Sequence, residues 1–311
     1  MPKLFISCVE LESNLPSGKL AKLLAKKENI VVTTLFQDSR RFTKILTDVK
    51  SLIKLLRQLR PTEMAINVNG SHIRLLIAFI AIMHRLHITI IIMDVYPQCL
   101  RYVTRYWYFF YFPFMLFEFI ALSTAKKIAI IDEHFETCFP INKFRYKTSV
   151  SPLDFLFEAH NNDNKRCGIL LCGNIEERFL QNNSNVQLLC NSLDQHLIVA
   201  TSKFLKTDIA RVFPDANIIA PWPKEKTDEV MNQCKYMYIP LSASRMVFSS
   251  PSKIIDCYSR GIIPIIDCDI DIWITQKYRH IYRGAVHVTQ VEFHQQDSDI
   301  LLSSDRSLLN L

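Results

Sequence analysis

Short apolar runs alternate along this chain with longer segments whose apolar positions recur every three or four residues. Residues 3–9 form the first run, residues 10–18 a polar loop, and residues 19–26 a helical pattern with Leu20, Leu23 and Leu24 on one face. A second strand is predicted over 30–36. In 42–59, Ile45, Val49, Leu52, Ile53, Leu56 and Leu59 repeat at helical spacing while Lys44, Lys50, Lys54 and Arg57 lie mostly elsewhere, and Pro61 stops the helix. Next come a strand at 64–68, an exit loop holding Gly70, an apolar helix at 73–85, and a strand at 88–93 closed by Asp94 and Pro97. Repetition of strand, crossover helix and strand predicts a parallel sheet with helices on both faces.

The pattern changes at residues 107–122, from Trp107 to Leu122. This is the most apolar stretch, crowded with Phe and Tyr and bracketed by Arg101, Arg105, Lys126 and Lys127. It is shorter than the ~20 residues a membrane-spanning helix needs and carries Pro113 and Glu118, which argues against a span. Two readings stay open: a hairpin of helices packed between domains, or an aromatic surface that dips into a membrane interface. A strand at 127–132 follows, and the polar segment 159–166 reads as a linker. Beyond it strands are predicted at 168–172, 196–201, 217–220, 236–240, 262–266 and 285–288, with helices at 225–234 and 252–260. Two α/β halves joined at a linker imply a central cleft, since open α/β sheets bind ligands at the carboxyl ends of their strands.

Composition narrows the chemistry. Of 311 residues, 49% are hydrophobic and 22% charged, which excludes disorder. Only six are glycine, and no GxGxxG, GxxxxGK[ST] or GxSxG occurs, which counts against a standard NAD-binding enzyme, a P-loop NTPase and a serine α/β-hydrolase. The nine cysteines form no CxxC pair and read as buried thiols of a reducing cytoplasm. The net charge of +7 suits an anionic membrane face or a phosphorylated substrate; no basic–aromatic nucleic-acid module is visible, so nucleic acid is not an expected partner.

Residues 249–264 carry a resemblance. The order Ser250, Pro251, Ser252, Lys253, Asp256, Gly261 and Pro264 resembles the donor motif of GT-B glycosyltransferases, in particular the family-4-like retaining enzymes. The physics suits that role: a helix N-terminus offers free N–H groups to a diphosphate, Lys253 adds a point charge, and Asp256 can accept ribose hydroxyls. Weaker similarities extend along the chain. They comprise Ser17 and Gly18 in the opening loop, the 59–70 passage ending in Asn69 and Gly70, the strand end at Asp94, and Gly173, Asn174 and Arg178 after the first strand of the second half.

The resemblance implies an α/β GT-B fold of two Rossmann-like parallel-sheet domains facing a central cleft. Residues 1–160 would form the acceptor side and 161–311 the nucleotide-sugar side. It implies a retaining, metal-independent hexosyl transfer from a nucleotide-diphosphate sugar to a saccharide or lipid-linked acceptor in cell-surface polysaccharide or glycolipid synthesis. Such an enzyme would be cytoplasmic, peripheral on the membrane face, with no cofactor beyond its donor. Lys253 and Asp94 are the expected catalytic residues. Gly173, Asn174, Arg178, Ser250, Pro251, Ser252 and Asp256 would bind the donor, and Ser17, Gly18 and Asn69 would face the acceptor. Departures from the motif keep open a catalytically inert GT-B-like subunit that binds a partner enzyme or a membrane. Phe248 stands where the first acid of the E-x7-E pair belongs, no basic residue follows Arg178 at the usual spacing, and Met93 replaces the cleft histidine.

Other patterns are weaker. Asp267-Cys268-Asp269 matches the DxD of metal-dependent GT-A enzymes, but it lies near the chain end and follows the donor-helix pattern, so solvated strand-end carboxylates are the expected reading. His84 and His87 lack further ligands at zinc spacing, and Glu133-His134 reads as plain surface.

Overall fold

The computed structural model describes residues 2–11, 16–37, 41–95, 98, 106–150, 166–172, 184–201, 206–220, 227–240, 253, 257 and 260–267. The chain divides into two compact units, and the described residues up to 150 lie in the first and those from 166 in the second. The boundary expected at 160/161 falls outside the described residues.

The first unit contains β1 (Lys3–Ser7), α1 (Pro16–Ala25), β2 (Ile30–Thr34), α2 (Phe42–Leu59), β3 (Glu63–Asn67), α3 (Ser71–Met83), β4 (His87–Ile92), α4 (Trp107–Thr124), β5 (Lys127–Ile130) and β6 (Thr148–Val150). Two 3-10 turns, Glu133–Thr137 and Ile141–Lys147, link the last two strands. The six strands among its described residues are all parallel, in the order β2-β1-β3-β4-β5-β6. Phe5 of β1 aligns with Val32 on one side and Ala65 on the other. Such strands are covered on both faces, which explains why Leu4, Phe5 and Ile6 are consecutive, apolar and fully buried, as are Ile90, Ile91 and Ile92. The shared right-handed crossover sense puts α2, α3 and α4 on the same face of the sheet.

Helix ends follow local chemistry. Arg60 caps α2 in the left-handed region (φ 46°), its N–H reaching the Leu56 carbonyl at 2.9 Å, and Pro61 prevents continuation. α1 starts earlier than its apolar pattern implied. Pro16 occupies the first helical position, where its fixed φ is preorganised and its missing N–H costs nothing, so Ser17 and Gly18 lie in the first helical turn rather than in a loop. One buried position of α2 is polar: Asp48 accepts the Phe36 N–H at 2.9 Å, satisfying a backbone donor where the chain leaves β2 with φ 62°.

Residues 107–124 form one helix with Pro113 inside it, which corrects the hairpin alternative. Beyond the proline, α4 is held on α3 by two contacts. Phe114 meets the His72 ring edge-on at 5.2 Å, and Glu118 pairs with Arg74 with both side chains only 2% exposed. Arg74 also donates from Nε to the Val68 carbonyl at 3.0 Å. Among the described residues no helix is long and apolar enough to cross a membrane.

The second unit contains β7 (Ile169–Cys172), α5 (Ser184–Leu193), β8 (Leu197–Ala200), α6 (Lys206–Val212), β9 (Asn217–Ile219), α7 (Thr227–Gln233), β10 (Tyr236–Pro240) and β11 (Ile263–Asp267). The five strands among its described residues are parallel, in the order β11-β10-β7-β8-β9. Its core joins Ile169, Leu171, Val199 and Tyr238 of the sheet to Val186, Leu189 and Ile209 of the helices.

Candidate functional site

A parallel sheet presents ligands with a crevice where its strand order reverses, outside the carboxyl ends of the strands. In the second unit that point lies between β7 and β10: β8 and β9 extend to one side of β7, β10 and β11 to the other. Lys253 reaches this point. Its Nζ donates to the carbonyl of Cys172, the last residue of β7, at 2.5 Å. Lys253, Cys257 and Arg260 are helical and lead into β11. This segment is anchored by Cys257, whose thiol meets the Met237 sulfur of β10 at 3.4 Å, and by the Arg260 carbonyl, which accepts from Arg166. Gly261 ends it in the left-handed region (φ 63°), and the Ile262 N–H returns to the Cys257 carbonyl at 2.9 Å. Sequence reasoning anticipated the glycine stop but not the Cys172 carbonyl, because no pattern announces which strand end a lysine will meet. Gly173, Asn174, Arg178, Ser250, Pro251, Ser252 and Asp256 lie outside the described residues, as does Phe248.

In the first unit the order reverses between β1 and β3. There the Met93 sulfur accepts from Ser17 Oγ at 3.0 Å and from Asn67 Nδ2 at 3.3 Å, joining the ends of β3 and β4 to the start of α1. The buried Ser7 hydroxyl folds back on Val9, donating to its carbonyl at 2.9 Å and accepting its N–H at 3.1 Å. Cys8 follows β1, and its N–H donates to the Asn67 carbonyl at 3.1 Å. Burial pushes the Cys8 thiol up, opposed by a hydrogen bond from the Asn69 backbone and by the Arg74 charge, while the Asp94 carboxylate adds to the rise. Of the residues expected on the acceptor side, Ser17, Asn69 and Asp94 thus gather around Cys8 and Met93. Gly18 is buried within α1, and Asn69 is exposed. Cys8 and Asn67 were missed as site residues: Cys8, just past β1, carries no motif, and Asn67 ends β3 inside the 59–70 passage, where Asn69 drew the attention.

Other places hold less. Among the described residues no group of three His, Cys, Asp or Glu could hold a metal ion. His84 caps α3 while His87 opens β4, and Asp267 ends β11 with Cys268 and Asp269 outside the described residues. Glu133 and His134 open a 3-10 turn, where Asp132 accepts the His134 N–H at 3.0 Å. A hollow lined by Lys3, Leu4, Glu63, Met64 and Thr89 sits at the amino end of the first sheet, the wrong end for an α/β ligand site, and the Lys3–Glu63 ion pair at 3.0 Å bridges it. The expectation of buried thiols holds for Cys138, Cys172, Cys234 and Cys257, but Cys167 is exposed because it precedes β7 in the chain's approach to the sheet.

No protein-family model matches this sequence, and no curated protein matches it significantly. Solved structures do resemble the fold. HepE of Anabaena in complex with UDP-glucose superposes with a TM-score of 0.59 at 9% identity, covering 97% of this chain and 88% of that one. A putative UDP-N-acetylglucosamine 2-epimerase of Listeria monocytogenes gives 0.58 at 9% identity, with coverages of 99% and 94%. The apo lipopolysaccharide outer core galactosyltransferase WaaB gives 0.53 at 11% identity, with coverages of 100% and 97%. At such identities the likeness is one of fold, and it spans both units: the chain has a divergent GT-B glycosyltransferase-like fold built from two parallel α/β sheets.

Proposed function

We propose that the chain is a glycosyltransferase that moves a sugar from a nucleotide-diphosphate donor to a saccharide or lipid-linked acceptor. The observation that carries this reading is the Lys253 ammonium at the carboxyl end of β7, beside the point where the second sheet reverses its order. An ammonium has three protons; one is used on the Cys172 carbonyl, and the others are available to a diphosphate. As the glycosidic bond to the leaving nucleotide breaks, negative charge builds on the β-phosphate. A positive charge already held in place stabilises that state more than the ground state.

HepE, similar in fold, was solved with UDP-glucose, which supports a nucleotide-sugar as ligand. In this reading Ser250, Pro251, Ser252, Gly173, Asn174 and Arg178 bind the donor phosphates, and Asp256 holds the ribose. Asp94, Ser17, Gly18 and Asn69 serve the acceptor. The reaction is retaining and needs neither metal nor cofactor, and the enzyme works at the cytoplasmic membrane face in polysaccharide or glycolipid synthesis.

The test is nucleotide release from a panel of UDP-, GDP- and CDP-sugars. Lys253→Ala is expected to lower turnover at least tenfold with an unchanged melting temperature; full activity in that variant removes the central residue. Phe248, where an acid is expected, favours a second reading, a GT-B-like subunit without donor chemistry. Absence of turnover and of any nucleotide response in the wild type would select it.

A further inference from the structure

The face of the first unit formed by α3 and α4 is unusual for a protein surface. Every exposed described residue of α4 from Tyr108 to Ile120 is apolar or aromatic, and the helix's single acid, Glu118, is buried against Arg74. Phe109, Phe112, Leu116 and Phe119 follow one another at helical spacing, 65%, 76%, 48% and 38% exposed. The exposed residues of α3 are Phe79, Ile82 and Met83, again without a charge. At roughly 100 Å² for each half-exposed large side chain, α4 alone presents on the order of 700 Å² of apolar surface, against about 300–600 Å² for the largest patch of an ordinary monomer.

Charge frames this patch at one end. Arg85 lies two residues past the end of α3 and Lys126 two past the end of α4, both exposed. Lys147 donates to the Ser123 and Ala125 carbonyls at 2.9 and 2.8 Å, fixing an amine at the C-terminus of α4, and Lys143 and Arg145 are exposed on the turn that leads to it. The acid that the Lys126 charge reaches is Glu63, which is already paired with Lys3 at 3.0 Å, so the cations outnumber it. An apolar aromatic stripe with tyrosines along it and cations at its end has the chemistry of a helix lying in the headgroup region of an anionic bilayer.

We propose that α3 and α4 dock the protein on an anionic lipid surface, with the Phe109–Phe112–Leu116–Phe119 stripe in the acyl boundary and Arg85, Lys126 and Lys147 at the headgroups. A second copy of the chain fits the face less well, because in a self-complementary contact the exposed described residues of α3 and α4 offer no acid to the cationic end. This assignment does not depend on the glycosyltransferase reading, since it uses no donor-site residue.

The experiment is flotation of the full chain with vesicles of phosphatidylcholine alone and with 30% phosphatidylglycerol. The wild type is expected to float with the anionic vesicles and to lose most of that binding on the neutral ones. The variant F109S/F112S/L116S changes only exposed positions and is expected to lose at least tenfold in partitioning with an unchanged circular dichroism spectrum. R85E/K126E should lose several-fold on anionic vesicles. Absence of flotation on both compositions overturns the proposal, as does a triple variant that binds like the wild type. A vesicle-free dimer that the triple variant converts to monomer, without lipid binding by either, also overturns it and assigns the face to a second copy.

Discussion

The Cys234 thiol shows how burial sets reactivity in this chain. It donates to the Val230 carbonyl at 3.1 Å and is fully buried at the end of α7, and desolvation, aided by the nearby Cys172 and Cys167, leaves its pKa pushed up to about 12. Cys167 lies close by and is exposed. Alkylation of the native protein at pH 8 should therefore modify Cys167 and spare Cys234 until denaturant is added; equal labelling of the two would contradict the burial. The linkage has a sign. A thiol held neutral by the fold contributes stability that is complete below its ordinary value of 9.0 and is lost as pH rises toward about 12. Urea titrations of the wild type and Cys234→Ala should converge over that window, by at most about 1.4 kcal/mol per pH unit. Lys253 belongs to the same scale: its residue type and helix were legible in the sequence, while its bond to Cys172 depends on a strand end that no local pattern specifies.

Among the elements, the joint between α3 and α4 is the one whose energetics the structure makes most explicit. Arg74 and Glu118 are buried together, so removing one partner strands a charge, while replacing both with apolar side chains removes the need for either. Glu118→Leu is expected to destabilise the first unit by about 3–5 kcal/mol, and Arg74→Met/Glu118→Leu by clearly less. Denaturant midpoints test this; a double variant no better than the single would show that the pair's worth lies in other contacts. The strands and the long helices were readable because their signals are strong. Pro61 and the spacing of Leu52 and Leu56 fix α2, and continuous apolar runs mark β4 and β10. The missed elements carry weak signals: β6 is three half-buried residues, Thr148–Val150, and α5 and α6 are short, ten and seven residues. For α4 the sequence exposed the aromatic content but not its use, since Glu118 reads as an interruption until Arg74 is found opposite it.

At the scale of the molecule, two parallel sheets share one organisation. Each begins with an interior strand, β1 or β7, lays the next one or two strands to one side and then crosses to the other, and polar groups lie at the carboxyl ends where that crossing occurs, Ser17 and Asn67 in the first unit and Lys253 in the second. The alternation of strands and helices made the two-sheet architecture legible, and the 249–264 pattern pointed to the fold that the solved structures share. Assembly of Ser17, Asn67, Met93 and Asp94 was only partly legible, because it joins two strand ends and a helix start far apart in sequence. The measurement that bears most directly on the central claim is a calorimetric titration of the full chain with UDP, GDP and CDP, repeated with Lys253→Ala. The account predicts saturable binding of one of the three by the wild type and at least tenfold weaker binding by the variant. Binding of that nucleotide unchanged by the substitution, or no binding of any of them by the wild type, would contradict it.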